Sequence, residues 1–480
     1  MTEVRAYAAV PAPRVEGLPV LGSVLDFRRD ILRTMHRGLA SHGDLVRYRL
    51  GTVVVHGVSS PELAGEVLTD TDRFGKLGPD NPLRLVLGEG LLTSDDHKSW
   101  LRNRRMMQPI YTKQALADMF TTMGVSAAEQ ISHMSARYRT GSVVDLHTEM
   151  MRVTLDIVSR CMFSTDVSRT LAGIGPDAVD VAINYAFDRL QNPFSPPTHW
   201  STPRNRRFHQ VMRGLDDLIY RIIAERRQST GSTAAGASTA AGHGDLLDML
   251  LAARDADTGE GMTDRELRDE VITTFAAGHE TTAITLTWAF YLLTRNREVL
   301  RRVQREVDDH VGDELPTPED LTAMPYTLRV FEEALRLYPS APIVPRLVRR
   351  DTELGGYRMP AGSRVLVNLF NIHRHPRHWP DPEGFDPDRF LPDARKGRHR
   401  FAYLPFGAGP HLCIGKHFAL MEAHLLLVAL VRRWEFRHVP SHRVVNHATI
   451  TLRPRHGMLM TMHQRTPSAA RPAQRPARAQ

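Results

Sequence analysis

Cysteine is almost absent: Cys161 and Cys413 are the only two in 480 residues. Two cysteines make neither a disulfide scaffold nor a four-cysteine zinc site, and the composition suits a reducing compartment, the cytoplasm. Long apolar runs are missing as well. None approaches the roughly 20 residues that span a bilayer, and the start "MTEVRAYAAVPAPR" has no basic head followed by an apolar core, so neither a membrane anchor nor a secretory leader is expected. Nor is there a strong excess of one charge. The net charge of +8 is small for this length, and the stretch from Arg465 to Gln480 supplies four arginines and no acids. Without a helix-turn-helix pattern or an aromatic-basic motif, no nucleic-acid partner is expected; a basic face for an acidic protein fits the charge better.

What is present reads as a folded, mainly helical protein with a smaller β part. The apolar fraction of 42% and charged fraction of 24% are ordinary for a globular chain. A Pro- and Gly-rich beginning predicts a flexible arm over residues 1–14. A helix near Ile31–His42 and a strand pair in "DLVRYRLGTVVVHGV" follow. From Ser94 to Asp309 the pattern is helical, broken by "QNPFSPPTHWSTPRN" and by the low-complexity stretch Ser229–Gly244, read as a flexible loop. "MTDRELRDEVITTFAAGHETTAITLTWAFYLLTR" carries a capping box, Thr263 with Glu266, then about thirty residues without proline. One long helix through the core is expected. Further helices are expected near Thr327–Leu337 and Gly415–Trp434, with a hairpin at the end and a disordered basic tail over 464–480.

Against this pattern the stretch "LPFGAGPHLCIGKHF", Leu404 to Phe418, stands out, with Cys413 among glycines and prolines. It is not a phosphate loop: five residues separate Gly409 from Gly415, where four are required, and Lys416 is followed by His417 rather than by Ser or Thr. A zinc site lacks a second nearby cysteine. Two readings stay open on residue types alone. One is a buried structural cysteine. The other is a metal-ligand thiolate, stabilised by backbone N–H groups of a bent loop and by the positive end of the next helix.

The spacing Phe406-x-x-Gly409-x-x-x-Cys413-x-Gly415 resembles the haem-binding signature of the cytochrome P450 family. The resemblance implies the family's triangular-prism fold over about residues 15–463, haem b between the long helix and the loop, and Cys413 as axial iron ligand. His411, two residues before the cysteine, would reach a haem propionate. "AAGHETT" resembles the family's oxygen-activation motif, with Ala277, Gly278, Glu280 and Thr281: a mid-helix threonine bonding back to Ala277 or Gly278, a glycine leaving room beside the bend, and Glu280 with Thr281 as proton donors. Glu333-x-x-Arg336 alone is an ordinary i,i+3 pair. With Arg389 in "WPDPEGFDPDRF" it resembles the triad that holds the cysteine loop from behind. Trp100-x-x-x-Arg104 and Arg346 resemble propionate sites, which suit arginine's planar fork. Arg102, Arg105, Arg349 and Arg350 are left as ordinary solvated arginines, His373, His375 and His378 as solvated loop residues, and Cys161 as a packing residue.

The function implied is a haem-thiolate monooxygenase that places one oxygen atom from O2 into a lipophilic small molecule, a terpenoid or polyketide of secondary metabolism. Expected pocket residues are the loop Leu83–Leu92, the segment Ala186–Pro197, Phe275, Ala276, Ile343, Val344 and Met458. No flavin or iron–sulfur signature is left over, so electrons are expected from an acidic ferredoxin and its reductase, and a monomer is expected. The alternative is a peroxide-using relative, which typically replaces the acid–alcohol pair kept here. A haem binder without turnover would consume dioxygen with no product.

Overall fold

The computed structural model describes residues 10–164, 178–192, 195–233, 245–312 and 314–466. Its larger helices are α1 (Val24–His42), α2 (Pro61–Thr69), α3 (His97–Met107), α4 (Lys113–Arg137), α5 (Leu146–Phe163), α6 (Ala178–Gln191), α7 (Pro203–Thr233), α8 (Leu246–Ala252), α9 (Asp264–Arg295), α10 (Arg297–His310), α11 (Pro325–Leu337) and α12 (Lys416–Arg433). The strands are β1 (Val10–Pro11), β2 (Leu45–Leu50), β3 (Val53–Val58), β4 (Phe74–Gly75), β5 (Val143–Asp145), β6 (Ile343–Val348), β7 (Thr352–Leu354), β8 (Tyr357–Met359), β9 (Arg364–Asn368), β10 (Trp434–His438), β11 (Asn446–Ala448), β12 (Leu452–Pro454) and β13 (Leu459–Gln464). Helices dominate and the strands form small sheets, the larger of order β2-β3-β9-β6-β4. No described helix is long and apolar enough to cross a membrane.

Helix α9 is the axis of the protein. Its capping box is complete: the Glu266 N–H donates to Thr263 Oγ1 at 3.3 Å and the Thr263 N–H to Glu266 Oε2 at 2.7 Å. From Leu267 to Leu293 nearly every side chain is buried, as expected of a helix surrounded by other elements. It packs most extensively on α5. Gly278 makes the approach possible, because a Cβ there would stand 2.8 Å from Val158 Cγ2. The Thr154 hydroxyl adds a cross-helix bond to the His279 carbonyl at 2.9 Å.

Several expectations about boundaries change. The first helix starts at Val24, but Asp30 has φ −165° and ψ 91°, so regular helical pattern resumes only after it, which is where the sequence placed the start. Residues 10–14 are not a free arm: β1 pairs in parallel with β8, and Arg14 bridges to Arg47. Of the stretch 229–244, residues 229–233 complete α7 and the rest lies outside the described residues. At the other end, Gln464 closes β13, and Arg465 donates to the Val431 carbonyl at 2.6 Å and to Asp308 at 2.8 Å. Hydrogen bonds therefore carry ordered chain past the expected tail boundary; residues 467–480 lie outside the described residues.

Candidate haem-thiolate site

The cysteine loop is shaped by backbone it could not adopt with other residues. Gly407 and Gly409 have φ of 75° and 69°, in the left-handed region that favours glycine. A Cβ on Gly409 would also stand 2.3 Å from the Leu68 carbonyl oxygen, so the loop can lie against the end of α2 only without a side chain there. The Cys413 N–H donates to the Phe406 carbonyl at 2.9 Å, which closes the turn and explains the fixed interval between these two residues. Gly415 then caps α12.

Cys413 is exposed, yet it stands deep enough that burial pushes its thiol pKa up; the Gly415 N–H, Arg104 and Lys416 act in the opposite direction. A side chain that is both accessible and surrounded lies in a recess rather than on an open face. In the mid-section of α9, Ala277 is exposed and Gly278 and Thr281 are partly so, between stretches that are otherwise buried. The Thr281 hydroxyl donates to the Ala277 carbonyl at 2.9 Å, the back-bond expected of a mid-helix threonine. Gly278 is accounted for on its other side by Val158, so its task in the fold is close packing of α5 rather than clearing a groove. Glu280 turns elsewhere: its Oε1 accepts the Thr451 hydroxyl at 2.8 Å.

Beside the cysteine loop, positive groups converge, with Glu270 and Asp95 near Lys76 but neither in an ion pair with it. Trp100 is buried and forms the platform: the His411 ring meets it edge-on at 4.3 Å, and Lys76 Nζ and Arg104 Cζ each lie 5.5 Å from its centroid. Arg346 is buried, and burial lowers its pKa to about 10. Burial, then Arg346, lowers Lys76 to about 7, against the pull of the Glu270 and Asp95 carboxylates. Burial, then Lys76, Arg346, His97 and Arg104, lowers His411 to about 3. Among the described residues no carboxylate forms an ion pair with Lys76, Arg104 or Arg346, and Arg346 Nε and His411 Nδ1 are buried without a hydrogen-bond partner. Buried polar atoms are normally satisfied, and stacked cations repel, so this donor set fits a ligand bearing two carboxylates. The two propionates of haem are such a pair, and Cys413 would supply a soft ligand of the kind that iron accepts.

Lys76 and His97 belong to this cluster and were not recognised in the sequence. "FGKLGP" has no informative spacing. Lys76 reaches Arg346 because β4 pairs with β6 in a register that sets Gly75 opposite Leu347.

Behind the loop, the predicted triad is assembled. Arg336 donates from Nε to Glu333 Oε2 at 2.7 Å and from Nη2 to Oε1 at 2.8 Å, and Arg389 Nε lies 3.4 Å from the same Oε1. Arg336 also donates to the carbonyls of His373, Pro382 and Gly384. The expectation of solvated histidines is overturned here. His373 is fully buried, held neutral by burial that lowers it to about 3, and its Nε2 accepts the Leu404 N–H at 2.8 Å. It therefore joins the triad to the start of the cysteine loop. His375 is buried too, 3.0 Å from Asp44 Oδ1. Cys161 is a packing residue, as expected, buried with its Sγ 3.9 Å from the Met119 carbonyl.

The proposed pocket residues divide. Ala276, Ile343 and Val344 keep partial exposure, and Leu85 and Leu92 in the preceding loop are exposed. Met458 is fully buried in the main core, its carbonyl accepting the Leu146 N–H, and Phe275 is buried and stacked on Phe163 at 4.4 Å. Both are occupied by packing and leave the list of lining residues. Residues 193 and 194 of the segment 186–197 lie outside the described residues. Arg102 and Arg349 are not merely solvated: they pair with Glu266 and Asp95, each at 2.7 Å.

Comparison with known proteins agrees with this geometry. The cytochrome P450 family model matches residues 11–460. Cyclooctatin synthase of Streptomyces melanosporofaciens is 36% identical over 93% of this chain and 92% of its own length. Pentalenene oxygenase of Streptomyces avermitilis is 35% identical over 94% of this chain and 96% of its own. The crystal structure of the cytochrome P450DA heme domain superposes with a TM-score of 0.82 at 27% identity, over 96% of this chain and 99% of that one. With the thiolate loop, the carboxylate-seeking cluster and the buried triad in place, the chain belongs to the cytochrome P450 family and is one of its monooxygenases.

Proposed function

We propose that this protein binds haem b through Cys413 and places one oxygen atom from O2 into a terpenoid of secondary metabolism, with electrons from an external ferredoxin and its reductase. The observation that carries the reading is the conjunction of an accessible Cys413 with Lys76, Arg104, Arg346 and His411, a thiol and a set of unpaired cations around Trp100. Lys76, Arg104 and Arg346 would hold the propionates with the help of His411 and Trp100. Haem, when bound, supplies the one-electron and dioxygen chemistry that no side chain offers. Metal coordination deprotonates a thiol outright, which overcomes the burial that keeps the free thiol protonated.

The chain's own residues then bind, orient and supply protons. Ala276, Ile343 and Val344 present small or branched apolar surface, which favours a lipophilic substrate and disfavours water. Glu280 carries protons inward and the Thr281 hydroxyl, held by the Ala277 carbonyl, passes them on within the chamber. Relatives named cyclooctat-9-en-7-ol 5-monooxygenase, 35% identical over 88% of this chain, and pentalenene oxygenase support the terpenoid class. The net charge of +8 supports an acidic electron donor. The intact Glu280–Thr281 pair favours the dioxygen route over the peroxide one.

The test is a carbon monoxide difference spectrum of the reduced protein beside Cys413→Ala. The wild type should give the red-shifted thiolate band and the variant should lose it. A wild type without that band overturns the reading.

A further inference from the structure

Three elements distant in sequence meet at the Glu280 carboxyl. Its Oε1 accepts the Thr451 hydroxyl at 2.8 Å and lies 3.7 Å from Arg453 Nη1, beyond hydrogen-bond reach. The same guanidinium donates through Nη2 to Asn184 Oδ1 at 2.7 Å. Glu280 belongs to α9, Arg453 to β12 and Asn184 to α6. The hairpin side is stiffened locally, because the Thr449 hydroxyl donates to the Thr451 carbonyl at 3.1 Å. Arg453 is thus shared: a neutral amide on α6 holds it short of full contact with a buried carboxyl on α9.

An arginine–carboxylate pair is stronger than an arginine–amide bond, roughly twice as strong for a charge-assisted contact. Among the described residues, Asn184 supplies the hydrogen bond that the Arg453 side chain makes. The second half of α6 also holds residues 186–191, part of the segment that the family resemblance expects beside the substrate. Movement of α6 as substrate enters or product leaves would therefore release Arg453.

We propose that Arg453 is a positioning residue that makes the proton-carrying state of Glu280 depend on the placement of α6. With α6 seated, Asn184 holds the guanidinium back and Glu280 can take and give a proton. With α6 displaced, Arg453 closes on the carboxylate, ties it in its ionised form and stops proton supply while the chamber is open. The inference rests on the reading of Glu280 as proton carrier given above.

The electrostatic surroundings are consistent with this. Burial, then Asp180 on α6, holds the Glu280 pKa above the ordinary carboxylate value, while the Thr451 hydroxyl, His279 on α9 and Arg453 on β12 pull it down. His147 on α5 faces Asp180 and Arg453 from the remaining side. A raised carboxyl is one that a nearer arginine can still switch.

The experiment follows the Glu280 carboxyl in the haem-loaded protein by infrared titration, its band identified by loss in Glu280→Gln. Asn184→Ala should lower the midpoint by about one pH unit, because the freed arginine moves onto the carboxylate. Arg453→Met should raise it by about the same amount, and the double variant should behave as Arg453→Met. Asn184→Asp, which holds the guanidinium harder, should also raise it and serves if the alanine variant does not fold. A midpoint that Asn184→Ala leaves unchanged or raises overturns the proposal. So does a double variant that keeps the downward shift. If instead Glu280→Gln leaves product per dioxygen unchanged, the proton-carrier reading fails, whatever the titrations show.

Discussion

Arg336 and Glu333 form a forked pair, Nε to Oε2 and Nη2 to Oε1, and neither side chain has any exposed surface. A buried pair of this kind is held in place by what surrounds it: Arg336 has three carbonyl partners besides the carboxylate, and Glu333 also accepts the Asp386 N–H at 3.0 Å. Arg336→Met removes both the fork and the charge and leaves the Glu333 carboxylate buried without its main partner. It is expected to lower stability by about 3–5 kcal/mol, the cost of breaking a buried pair from one side. Guanidinium unfolding measures this, and haem content should fall with it, because His373 and the cysteine loop are held from the same arginine.

Gly278→Ala tests the packing of α9 on α5. The added methyl meets Val158, and overpacking of this kind costs about 1–3 kcal/mol, partly offset by alanine's better helix propensity. Adding Val158→Ala should recover most of the loss attributable to the clash. A thermal-denaturation cycle of the four proteins checks it; additive losses would show that the methyl is accommodated elsewhere.

Lys76 gives the haem site a pH dependence with a definite sign. In the free chain its pKa is lowered to about 7 by burial and Arg346, whereas two propionates beside it favour the ammonium. Above pH 7 haem binding therefore takes up a proton, and affinity should weaken by up to about tenfold per pH unit until the bound form also titrates. Haem transfer to the apoprotein at pH 6.5 and 8.5 measures this. Lys76→Met should bind less tightly at the lower pH and lose most of the dependence.

Thr281→Val removes a hydroxyl whose structural bond is to its own helix. Stability should change by about 0.5 kcal/mol or less. Product formation should slow by about a hundredfold, the low end for a positioned proton donor, while dioxygen consumption continues. The ratio of product to dioxygen consumed reports it; an unchanged ratio would remove Thr281 from proton delivery.

Much of this molecule is legible along the chain because its informative features are local. A capping box, a Glu-x-x-Arg face and a glycine-bent cysteine loop are each set by neighbours within a few residues, and local backbone preferences act at that range. The misread positions share the opposite property. His373 sits in a stretch that looks solvent-facing, and only its packing against Tyr403 and the bond from Leu404 bury it. Met458 and Phe275 are apolar at plausible places, and whether such a side chain lines a chamber or fills a core depends on what stands opposite.

By itself, then, the sequence determined the family, the cysteine proposed as ligand, the long helix and the members of the triad, since each is a short-range pattern with its own stereochemical reason. Tertiary structure alone decided which cations converge on Trp100 and where the Glu280 carboxyl turns. Lys76 joins Arg346 through the register of β4 on β6, and Arg453 of β12 stands between Glu280 of α9 and Asn184 of α6. Charges act through space, and separation along the chain says nothing of their distance once the chain is folded.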